Sequence, residues 1–548
     1  MSIFEKTARE LFSPTISAYI HPYAILISSS VLASACGYYL SQWLLGYGNH
    51  RRLPLPPGPK GLPILGNLLD MPTTFPGHNF ENMGKELGSD ILYLNVAGTK
   101  ILVLNSHEAC WDLLEKRSAI YSSRPPFPML IDLMGWDKDF ILLPYSSLWK
   151  TCRRLFHQEF PLSNSPRHES QELRVNHALL RNLLLDPEKY RDHFRYMTGA
   201  LIILLTYGLD VKGPDDPVIM SAERALDVAT HALSPGTYMV DALPVLKYVP
   251  PWLPGAGFKK KAREWNRLYI EMNILPFEIV KKQIENGTAP PSFVSNGLTK
   301  LHEDPHGCGY TERELMHTAG TISSALLLHL QLVPTPPTRP FLSFVLAMTL
   351  FPEVQRKAQD EIDRVVGQGR LPEFRDWELL VYVEAVLMEV QRWQPIAPAG
   401  VPHYIHVEDE YRGYRVPKNT TVIENIWAIL HDEKMYPDPY AFKPERWIKD
   451  GKINPAIRDI TSGFGFGRRI CPGRYLAMST MYITAASILA AFDISKAVDE
   501  SGEVIEPRVE FISNIQNRPV PFKCSIKPRS TMHEQLVMEA YEHEFQQA

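Results

Sequence analysis

Hydrophobic and polar positions follow two patterns along the chain. Residues 90–106, DILYLNVAGTKILVLNS, contain two β-rich runs separated by a turn with glycine, which predicts a hairpin. From residue 108 to about residue 392, most segments have the hydrophobic spacing of helices with loops between them. Strand character returns at 410–427. The pattern predicts a body that is mainly α-helical with a small β-rich part. The clearest predicted helices are 108–121, 258–286 and 352–366.

The N-terminal region contains a long uncharged stretch. Residues 11–49 include no lysine, arginine, aspartate or glutamate, and their most apolar part, Tyr23–Leu45, is 23 residues long. A helix of this length crosses the roughly 30 Å of hydrocarbon in a bilayer. Basic residues follow from Arg51, so the positive-inside rule puts the rest of the chain in the cytosol. We predict a single transmembrane anchor at 23–45 after a luminal segment, 1–22, with a cleaved signal peptide as the alternative.

A basic and proline-rich hinge follows the anchor at residues 46–72. Its second half, Leu53–Pro72, contains six prolines, and proline fits neither a helix interior nor a central strand. We expect a stiff connector that holds the remaining residues, 73–548, at a fixed angle to the membrane as the catalytic domain.

Composition narrows the class of protein. The chain has 548 residues, of which 45% are hydrophobic and 22% charged, as in globular proteins. A net charge of −4 gives no reason to expect a nucleic-acid partner. The six cysteines are scattered without a CxxC pair, which indicates reduced thiols facing the cytosol rather than a disulfide framework.

The strongest chemical signal is the segment 464–477, FGFGRRICPGRYLA. Cys471 lies there in a turn rich in glycine, which permits backbone conformations closed to other residues and the close approach of a flat ligand. Arginines at 468, 469 and 474 surround the thiol with positive charge. The apolar run after Pro472 predicts a helix whose N-terminus faces the sulfur. Both features favour a thiolate. A cysteine nucleophile of low pKa would share them, whereas a structural cysteine would not need them.

The spacing Phe-x-x-Gly-x-Arg-x-Cys-x-Gly in this segment resembles the haem-binding signature of the cytochrome P450 family. The resemblance covers essentially the whole chain and implies the P450 fold, preceded by the single N-terminal transmembrane helix. It also implies haem b as cofactor, with Cys471 as the catalytic axial thiolate ligand of the iron. The signature residues expected to bind the cofactor are Phe464, Gly467, Arg469, Cys471 and Gly473.

A second motif carries the same resemblance. Glu389 and Arg392, in EVQR, are three residues apart on one predicted helix face, within reach of each other. The resemblance implies that they join Arg446, in FKPERW, in a buried network beneath the haem loop. On its own, such a pair of opposite charges is common on protein surfaces.

Other positions resemble residues that contact the haem propionates. Trp149 and Arg153, in WKTCR, match the family's Trp-x-x-x-Arg helix, and the forked guanidinium group suits a carboxylate. On their own they would form an ordinary packing pair. His403, in PAGVPH, matches a segment that offers a histidine to a propionate, although a single histidine is more often structural.

Further details resemble fungal, especially basidiomycete, members related to O-methylsterigmatocystin oxidoreductases. The resemblance implies a monooxygenase of secondary metabolism or xenobiotic oxidation in the endoplasmic reticulum membrane, with a cytosolic catalytic domain. It would insert one oxygen atom from O₂ into a hydrophobic small molecule, with electrons from NADPH through cytochrome P450 reductase. The basic residues that either dock the reductase or form an ordinary charged surface are Lys150, Arg153, Arg154, Arg468 and Arg474.

One segment departs from the family pattern. The resemblance implies a long distal helix with an Ala-Gly-x-Asp/Glu-Thr-Thr motif, whose acid and threonine relay protons. The distal Asp/Thr pair is not found in this sequence. Between TAGTISS and LSFVLAMTLFPEVQ lies ALLLHLQLVPTPPTRPF, which has no acidic residue. The four prolines at 328–341 predict an interrupted helix, because each proline inside a helix costs about 3 kcal/mol.

The missing motif is present in a shifted reading frame. Residues 331–337 can be written as the codons CAG CTG GTG CCG ACA CCA CCC. Reading from the third base gives GCT GGT GCC GAC ACC ACC, which encodes Ala-Gly-Ala-Asp-Thr-Thr. We infer that a gene-model or splicing error at 324–341 has replaced the distal motif. If the proline run is genuine, we expect a kinked distal helix and little coupled oxygenation.

Two other functions remain open. A haem-thiolate isomerase, a dehydratase or a peroxide-driven enzyme would need no reductase, so dependence on NADPH and reductase separates these from a monooxygenase. A chain with a genuine proline run would instead be an inactive product. The reduced carbon-monoxide difference spectrum would identify that case.

Overall fold

Residues 53–546 are described by this computed structural model, together with Gly37, apart from four short segments. The excepted residues are 214, 234–236, 329–338 and 514–515. The predicted transmembrane anchor at 23–45 therefore lies outside the described residues, except for Gly37. Within the described part, no helix combines the length and the apolar composition needed to cross a membrane.

The chain divides into two compact units. The larger comprises 56–409 and 416–548, and the smaller comprises 1–55 and 410–415. In the described part of the smaller unit, the Arg415 N–H donates a hydrogen bond of 2.8 Å to the Pro54 carbonyl oxygen. The helices, the main sheet and the cysteine loop belong to the larger unit.

Helices make up most of the larger unit. In the described residues the α-helices are α1 (Pro76–Leu87), α2 (His107–Cys110), α3 (Ser118–Tyr121), α4 (Ser147–Glu159), α5 (Ser165–Leu185), α6 (Tyr190–Tyr207), α7 (Pro217–Leu233), α8 (Met239–Ala242), α9 (Gly257–Glu285), α10 (Phe293–Glu303), α11 (Glu312–Leu328), α12 (Arg339–Leu350), α13 (Pro352–Val365), α14 (Val381–Trp393), α15 (Ile426–Leu430), α16 (Arg474–Ala491) and α17 (Thr531–Gln546). The fold is therefore mainly helical, as predicted.

The strands are short and form a small part of the chain. In the described residues they are β1 (Ile91–Val96), β2 (Thr99–Leu104), β3 (His403–Ile405), β4 (Asp409–Tyr411), β5 (Tyr414–Val416), β6 (Thr420–Glu424), β7 (Ile448–Lys449), β8 (Lys452–Ile453), β9 (Phe492–Lys496), β10 (Phe511–Ser513), β11 (Asn517–Pro519) and β12 (Cys524–Pro528). The main sheet has the strand order β1-β2-β6-β3, and β9 pairs with β12 and β10 with β11.

Two of the predicted helices are confirmed with nearly the predicted bounds. α9 runs through Pro276 without ending, and α13 begins with Pro352, where the missing N–H costs nothing. The predicted helix at 108–121 is wrong in its continuity, because a π-helical segment, Trp111–Lys116, separates α2 from α3. This segment contacts the cysteine loop.

The predicted hairpin forms the first half of the main sheet. β1 and β2 pair antiparallel, and the turn residues Ala97 and Gly98 both have positive φ (47° and 94°), as a tight two-residue turn requires. Leu92 and Leu94 are buried, whereas Asn95 is exposed. One face of the hairpin therefore packs against the body.

The second half of the sheet places two polar side chains close together. β6 is parallel to β2 and antiparallel to β3, and His403 of β3 pairs with Val422 of β6. Alternate residues of a strand share a face, so Glu424 lies on the same face as Val422. The register therefore brings Glu424 near His403.

α16, which follows the cysteine loop, is a buried helix. Fourteen of its eighteen residues are buried, and it packs against α5, α13 and α14. Ser479 and Thr480 donate hydrogen bonds to the Glu172 carboxyl group on α5, with distances between 2.7 and 3.0 Å. Burial raises the pKa of Glu172 to about 8. The base of the cysteine loop is thus held by both apolar packing and hydrogen bonds.

A fully buried ion pair joins α14 to the segment before the cysteine loop. Glu389 and Arg392 are completely buried, and the guanidinium group donates to both carboxylate oxygens over 2.8 and 2.9 Å. Arg392 also donates to the carbonyl oxygens of Leu430, Pro439 and Ala441. The pair therefore crosslinks α14 to residues some forty to fifty positions further along the chain.

Three further donors complete the network around Glu389. Arg446 Nε lies 3.2 Å from Oε1, the Lys443 N–H lies 2.9 Å from Oε1, and Trp447 Nε1 lies 2.9 Å from Oε2. Arg446 additionally donates to the Pro437 carbonyl oxygen. Glu389 is thus the common acceptor of five donors, and the structure brings the predicted Glu389, Arg392 and Arg446 together.

Replacing Glu389 with glutamine is expected to destabilise the protein strongly. The substitution leaves the buried Arg392 without its counter-charge and places an NH₂ group among converging donors, at a cost of about 3–5 kcal/mol in the free energy of unfolding. Urea unfolding followed by tryptophan fluorescence would show this as a lower midpoint.

A surface ion pair supplies the matched control. Lys496 and Glu506 are 2.8 Å apart but largely exposed, so Glu506→Gln should change the free energy of unfolding by less than about 1 kcal/mol. Similar destabilisation by the two substitutions would contradict the structural role of the buried network.

Candidate functional site

Cys471 is fixed by its backbone in a loop that precedes α16. Its N–H donates a hydrogen bond of 2.8 Å to the Phe464 carbonyl oxygen, which closes the loop. Two short 3₁₀ turns, Ile460–Phe464 and Gly467–Arg469, form the rest of it. Gly465 between them has φ 87° and ψ −170°, a conformation that only glycine adopts without strain.

Gly467 allows the loop to lie directly against the π-helical segment. Its φ is 60°, and a Cβ atom at this position would lie 2.0 Å from the Leu114 carbonyl oxygen. Its N–H donates to Glu115 Oε2 over 2.7 Å. The glycine of the signature is therefore required by packing as well as by backbone conformation. Gly473 is buried at the N-cap of α16.

Burial dominates the electrostatics of the Cys471 thiol. Desolvation raises the pKa of Cys471, and the Gly473 backbone N–H, Arg153 and Arg474 act in the opposite direction. The sequence pattern predicted that nearby arginines would favour the thiolate, but Arg468 points instead to the Tyr145 hydroxyl group. Without a metal the sulfur is therefore held as a thiol, and a bound cation would be needed to keep it ionised.

Arg469 is buried beside the loop. Its guanidinium group donates hydrogen bonds to the carbonyl oxygens of Ser122, Phe140 and Leu143, with distances from 2.6 to 3.2 Å. It also stacks over the Trp149 ring at 4.5 Å from the centroid. Burial lowers the pKa of Arg469 to about 8, and the neighbouring charges of Arg124 and Arg153 contribute to this shift. Its charged form is therefore costly in this place.

Arg153 lies one turn after Trp149 on α4 and reaches the cysteine loop. Its Nη2 atom donates to the Ile470 carbonyl oxygen over 2.7 Å. Burial lowers the pKa of Arg153 to about 10, and Cys471 acts against this shift. The predicted positions 149, 153, 469 and 471 are thus brought together.

Arg124 is a site residue that sequence reasoning did not single out. It is buried and donates hydrogen bonds to the carbonyl oxygens of Ile141, Val401 and Pro402, and burial lowers its pKa to about 10. The signal available in the sequence was an arginine before two prolines in YSSRPP. That signal does not reveal which residues surround the guanidinium group.

These residues fit a ligand with a metal and anionic groups. Arg124 and Arg469 are buried and Arg153 is partly buried, and within the described part of the chain none has a carboxylate oxygen within 4 Å. Buried charges of one sign require a counter-charge from elsewhere. The described residues also contain no cluster of three metal-ligating side chains, so Cys471 would be the single protein ligand of a metal.

His403 is buried at the start of β3, on the same side as the arginines. Its Nδ1 atom lies 2.9 Å from the Tyr121 carbonyl oxygen. Burial lowers the pKa of His403 well below its usual value, and Arg124 and Arg469 contribute to this shift. Its Nε2 atom lies 3.9 Å from Oε2 of the buried Glu424.

A buried acid faces the helix that the sequence pattern assigns to the distal side. Ser324 of α11 donates a hydrogen bond of 2.9 Å to Asp139 Oδ2, and the Phe140 N–H donates to Thr321 Oγ1 over 3.2 Å. Burial raises the pKa of Asp139 to about 6. The proline run that follows lies mainly in 329–338, outside the described residues. Sequence reasoning missed Asp139 because its partners are 185 residues away.

The predicted basic cluster separates into two groups. Lys150, Arg154 and Arg468 are exposed, with Lys150 over the Tyr145 ring and Arg154 bonded to a carbonyl oxygen. The other two members point inward: Arg153 bonds the Ile470 carbonyl oxygen and Arg474 the Cys471 carbonyl oxygen. Only the first group presents charge to the surface.

Comparisons with known proteins agree with this geometry. The sequence model of the family described as Cytochrome P450 matches residues 56–522. Cytochrome P450 monooxygenase 98 of Postia placenta is 41% identical over 89% of this chain and 93% of its own length. Cytochrome P450 monooxygenase ple1 of Rhodocybe pseudopiperita is also 41% identical, over 88% of this chain and 91% of its own length. Tryptamine 4-monooxygenase of Psilocybe cyanescens is 38% identical over 92% of this chain and 98% of its own length.

The matches are with basidiomycete monooxygenases and cover both Cys471 and the Glu389 network. The family holds an iron protoporphyrin through a cysteine thiolate, the chemistry that a single thiol and three neighbouring arginines fit. Because the family model spans most of the residues and these relatives align over most of their own length, the chain belongs to the cytochrome P450 family.

Proposed function

We propose that this cytochrome P450 monooxygenase inserts one oxygen atom from O₂ into a hydrophobic small molecule, with electrons from NADPH delivered by a reductase. The observation that carries the proposal is the half-buried Cys471 side chain beside Arg124, Arg153 and Arg469, none of which has a carboxylate oxygen within 4 Å among the described residues. The haem, when bound, supplies the iron at which O₂ is reduced and the substrate is oxidised.

The residues of the cysteine loop would hold the cofactor from one side. Cys471 would ligate the metal through Sγ, while the Phe464 carbonyl oxygen fixes its backbone. Gly467 keeps the chain free of a side chain where it packs against Leu114. The loop leaves the Cys471 side chain half-buried, which limits the access of water to the metal site.

The arginines of the site would hold the two propionates. Arg469 belongs to the loop itself, Arg153 reaches it from α4, Trp149 packs against Arg469, and Arg124 adds a third guanidinium group. His403 lies beside Arg124 and Arg469, whose charges lower its pKa. These five side chains would orient the cofactor, and the three guanidinium groups would neutralise its anionic groups.

Buried apolar side chains on the segment that precedes α4 support an apolar substrate. Met129, Leu130, Met134 and Trp136 are buried in one cluster. Binding sites formed by such side chains take mainly hydrophobic ligands. Tryptamine 4-monooxygenase, one of the relatives, is named for an aromatic amine. We infer a small apolar or aromatic substrate from secondary metabolism or xenobiotic chemistry.

An exposed apolar segment supports attachment to the endoplasmic reticulum membrane. Met239, Leu243, Val245, Tyr248 and Trp252 are all exposed within fourteen residues, and Trp252 is 79% exposed. Contiguous exposed hydrophobic residues of this kind mark membrane or protein contacts. Together with the predicted anchor at 23–45, this segment would hold the cytosolic domain against the bilayer.

The exposed basic residues Lys150, Arg154 and Arg468 support docking of a reductase. They come from α4 and from the cysteine loop, so a partner bound there would lie close to Cys471. Complementary charge mainly accelerates the encounter of redox partners.

Cys471→Ser is expected to abolish thiolate ligation of the haem. A serine oxygen is a far weaker donor to iron, so the reduced carbon-monoxide complex of the full-length protein should lose the red-shifted Soret band. Cys524→Ser is the control, because Cys524 is likewise half-buried but lies on β12. Persistence of the band in the Cys471 variant would refute the assignment.

Reversing the charge of Lys150, Arg154 and Arg468 to glutamate should slow reduction by NADPH and reductase roughly tenfold at low ionic strength. The difference should shrink as salt is added, because screening weakens long-range attraction. The control reverses Lys260, Lys261 and Arg263, which are exposed on α9 and change the net charge equally. Stopped-flow reduction rates that fall equally in both variants would exclude a specific docking face.

The chain as it stands should couple NADPH use to oxygenation poorly. It lacks the distal Asp/Thr pair, so restoring Ala-Gly-Ala-Asp-Thr-Thr within 324–341 should raise the product formed per NADPH consumed across an apolar substrate panel. Well-coupled turnover by the present chain, or a continuous transcript that encodes the proline run, would contradict the inferred sequence error. Product formation without reductase would favour an isomerase, dehydratase or peroxide-driven enzyme.

A further inference from the structure

A buried carboxyl group and a buried imidazole face each other beside the arginines assigned to the propionates. Glu424 ends β6 and His403 begins β3, and they are 4% and 1% exposed. Glu424 Oε2 lies 3.9 Å from His403 Nε2. The carboxyl group also lies against the cysteine loop, since a Cβ atom on Gly465 would be 3.3 Å from its Oε1 atom.

The hydrogen bond to Tyr121 fixes which nitrogen of His403 carries the proton. A carbonyl oxygen can only accept, so Nδ1, at 2.9 Å from the Tyr121 carbonyl oxygen, must be the donor. Burial lowers the pKa of His403, which keeps the ring neutral. In a neutral ring with Nδ1 protonated, Nε2 is an acceptor and faces Glu424.

The opposing atom of Glu424 is also an acceptor when the carboxylate is ionised. Oε2 is buried and has no hydrogen-bond partner in the described part of the protein. Two buried acceptors facing each other are unfavourable unless one of them holds a proton. The pair therefore holds one proton between Glu424 Oε2 and His403 Nε2, in addition to the proton on His403 Nδ1.

The surroundings place that proton on Glu424. Burial raises the pKa of Glu424 to about 8, and Arg124 opposes the shift. The titratable and charged groups that face it are Arg124 before α4, His403 on β3 and Cys110 on α2. Gly400 packs directly against the Glu424 side chain, because a Cβ atom at this position would lie 2.4 Å from Glu424 Cγ.

We propose that Glu424 is a positioning residue that holds a proton shared with His403 beside the propionate site, and that haem reduction is coupled to proton uptake by this pair. The proposal rests on the proposed function. Reduction adds one electron, from NADPH through the reductase, and the added negative charge favours a proton on a nearby carboxyl group. That proton comes from solvent, so one electron and one proton enter together.

The test is the haem midpoint potential as a function of pH in the full-length, haem-loaded protein. Spectroelectrochemical titration should span both sides of the Glu424 pKa of about 8. In the wild type the potential should fall with rising pH in the alkaline part of the range, since only there does reduction require proton uptake. In Glu424→Gln this dependence should be lost. A slope equal to that of the wild type would assign the coupling to the propionates alone and overturn the proposal.

Glu172→Gln is the matched control. Glu172 is also buried with a pKa raised to about 8, but its carboxyl group accepts hydrogen bonds from Ser479 and Thr480 on α16. This variant should keep the wild-type slope. If it loses the slope as Glu424→Gln does, the effect is general to buried acids, and the specific role of Glu424 is refuted.

A second readout uses the haem-loaded wild type alone and needs no variant. Infrared difference spectra of the wild type between the oxidised and reduced states should contain the carbonyl stretch of a protonated carboxylic acid, and the band should shift in ²H₂O. Absence of this band would overturn the proposal. Failure of the proposed function is a separate result, because it would appear as a wild type without the thiolate type of carbon-monoxide spectrum.

Discussion

Positive charge buried around a single thiol is the constraint on which this site depends. The side chains of Arg124 and Arg469 are buried and that of Arg153 is partly buried, and such guanidinium groups need either an anion or a complete set of acceptors. In the protein alone, backbone carbonyl oxygens act as the acceptors. These arginines therefore connect the cysteine loop with segments hundreds of residues away in sequence, and they prepare the site for an anionic cofactor.

A second buried charge, that of Glu389, holds the segment that leads to the cysteine loop. Glu389 accepts five hydrogen bonds and fixes the backbone of residues 437–447, from which the chain continues to the cysteine loop. Both of its guanidinium partners, Arg392 and Arg446, have a Glu389 oxygen within 3.2 Å, whereas Arg124, Arg153 and Arg469 have no carboxylate oxygen within 4 Å in the described part of the protein. The Glu389 network thus has a structural role that is complete within the protein. The cluster of Arg124, Arg153 and Arg469 is complete only with its ligand.

Local patterns predicted the elements whose causes are local. The hairpin β1–β2, the helix α16 and the glycine positions of the cysteine loop follow from spacing and backbone conformation. Arg124, Asp139 and Glu424 were missed because their partners are distant in sequence and no short motif encodes them. The arginines near Cys471 were also visible in the sequence, but the desolvation of its thiol was not, so the prediction of a thiolate did not anticipate the raised pKa of Cys471. The helix predicted at 108–121 is interrupted for a similar reason, since tertiary contact with the cysteine loop overrides local propensity.

The loop at residues 139–143 is bonded on both of its sides. Its carboxyl group at Asp139 accepts from Ser324 on α11, and its carbonyl oxygens at Phe140 and Leu143 accept from Arg469. These attachment points lie within five consecutive residues, so the loop behaves as a short rigid strut. A substrate that displaces α11 would consequently shift the carbonyl oxygens that accept from Arg469. Substrate binding would thereby change the position of an arginine that is proposed to hold a propionate.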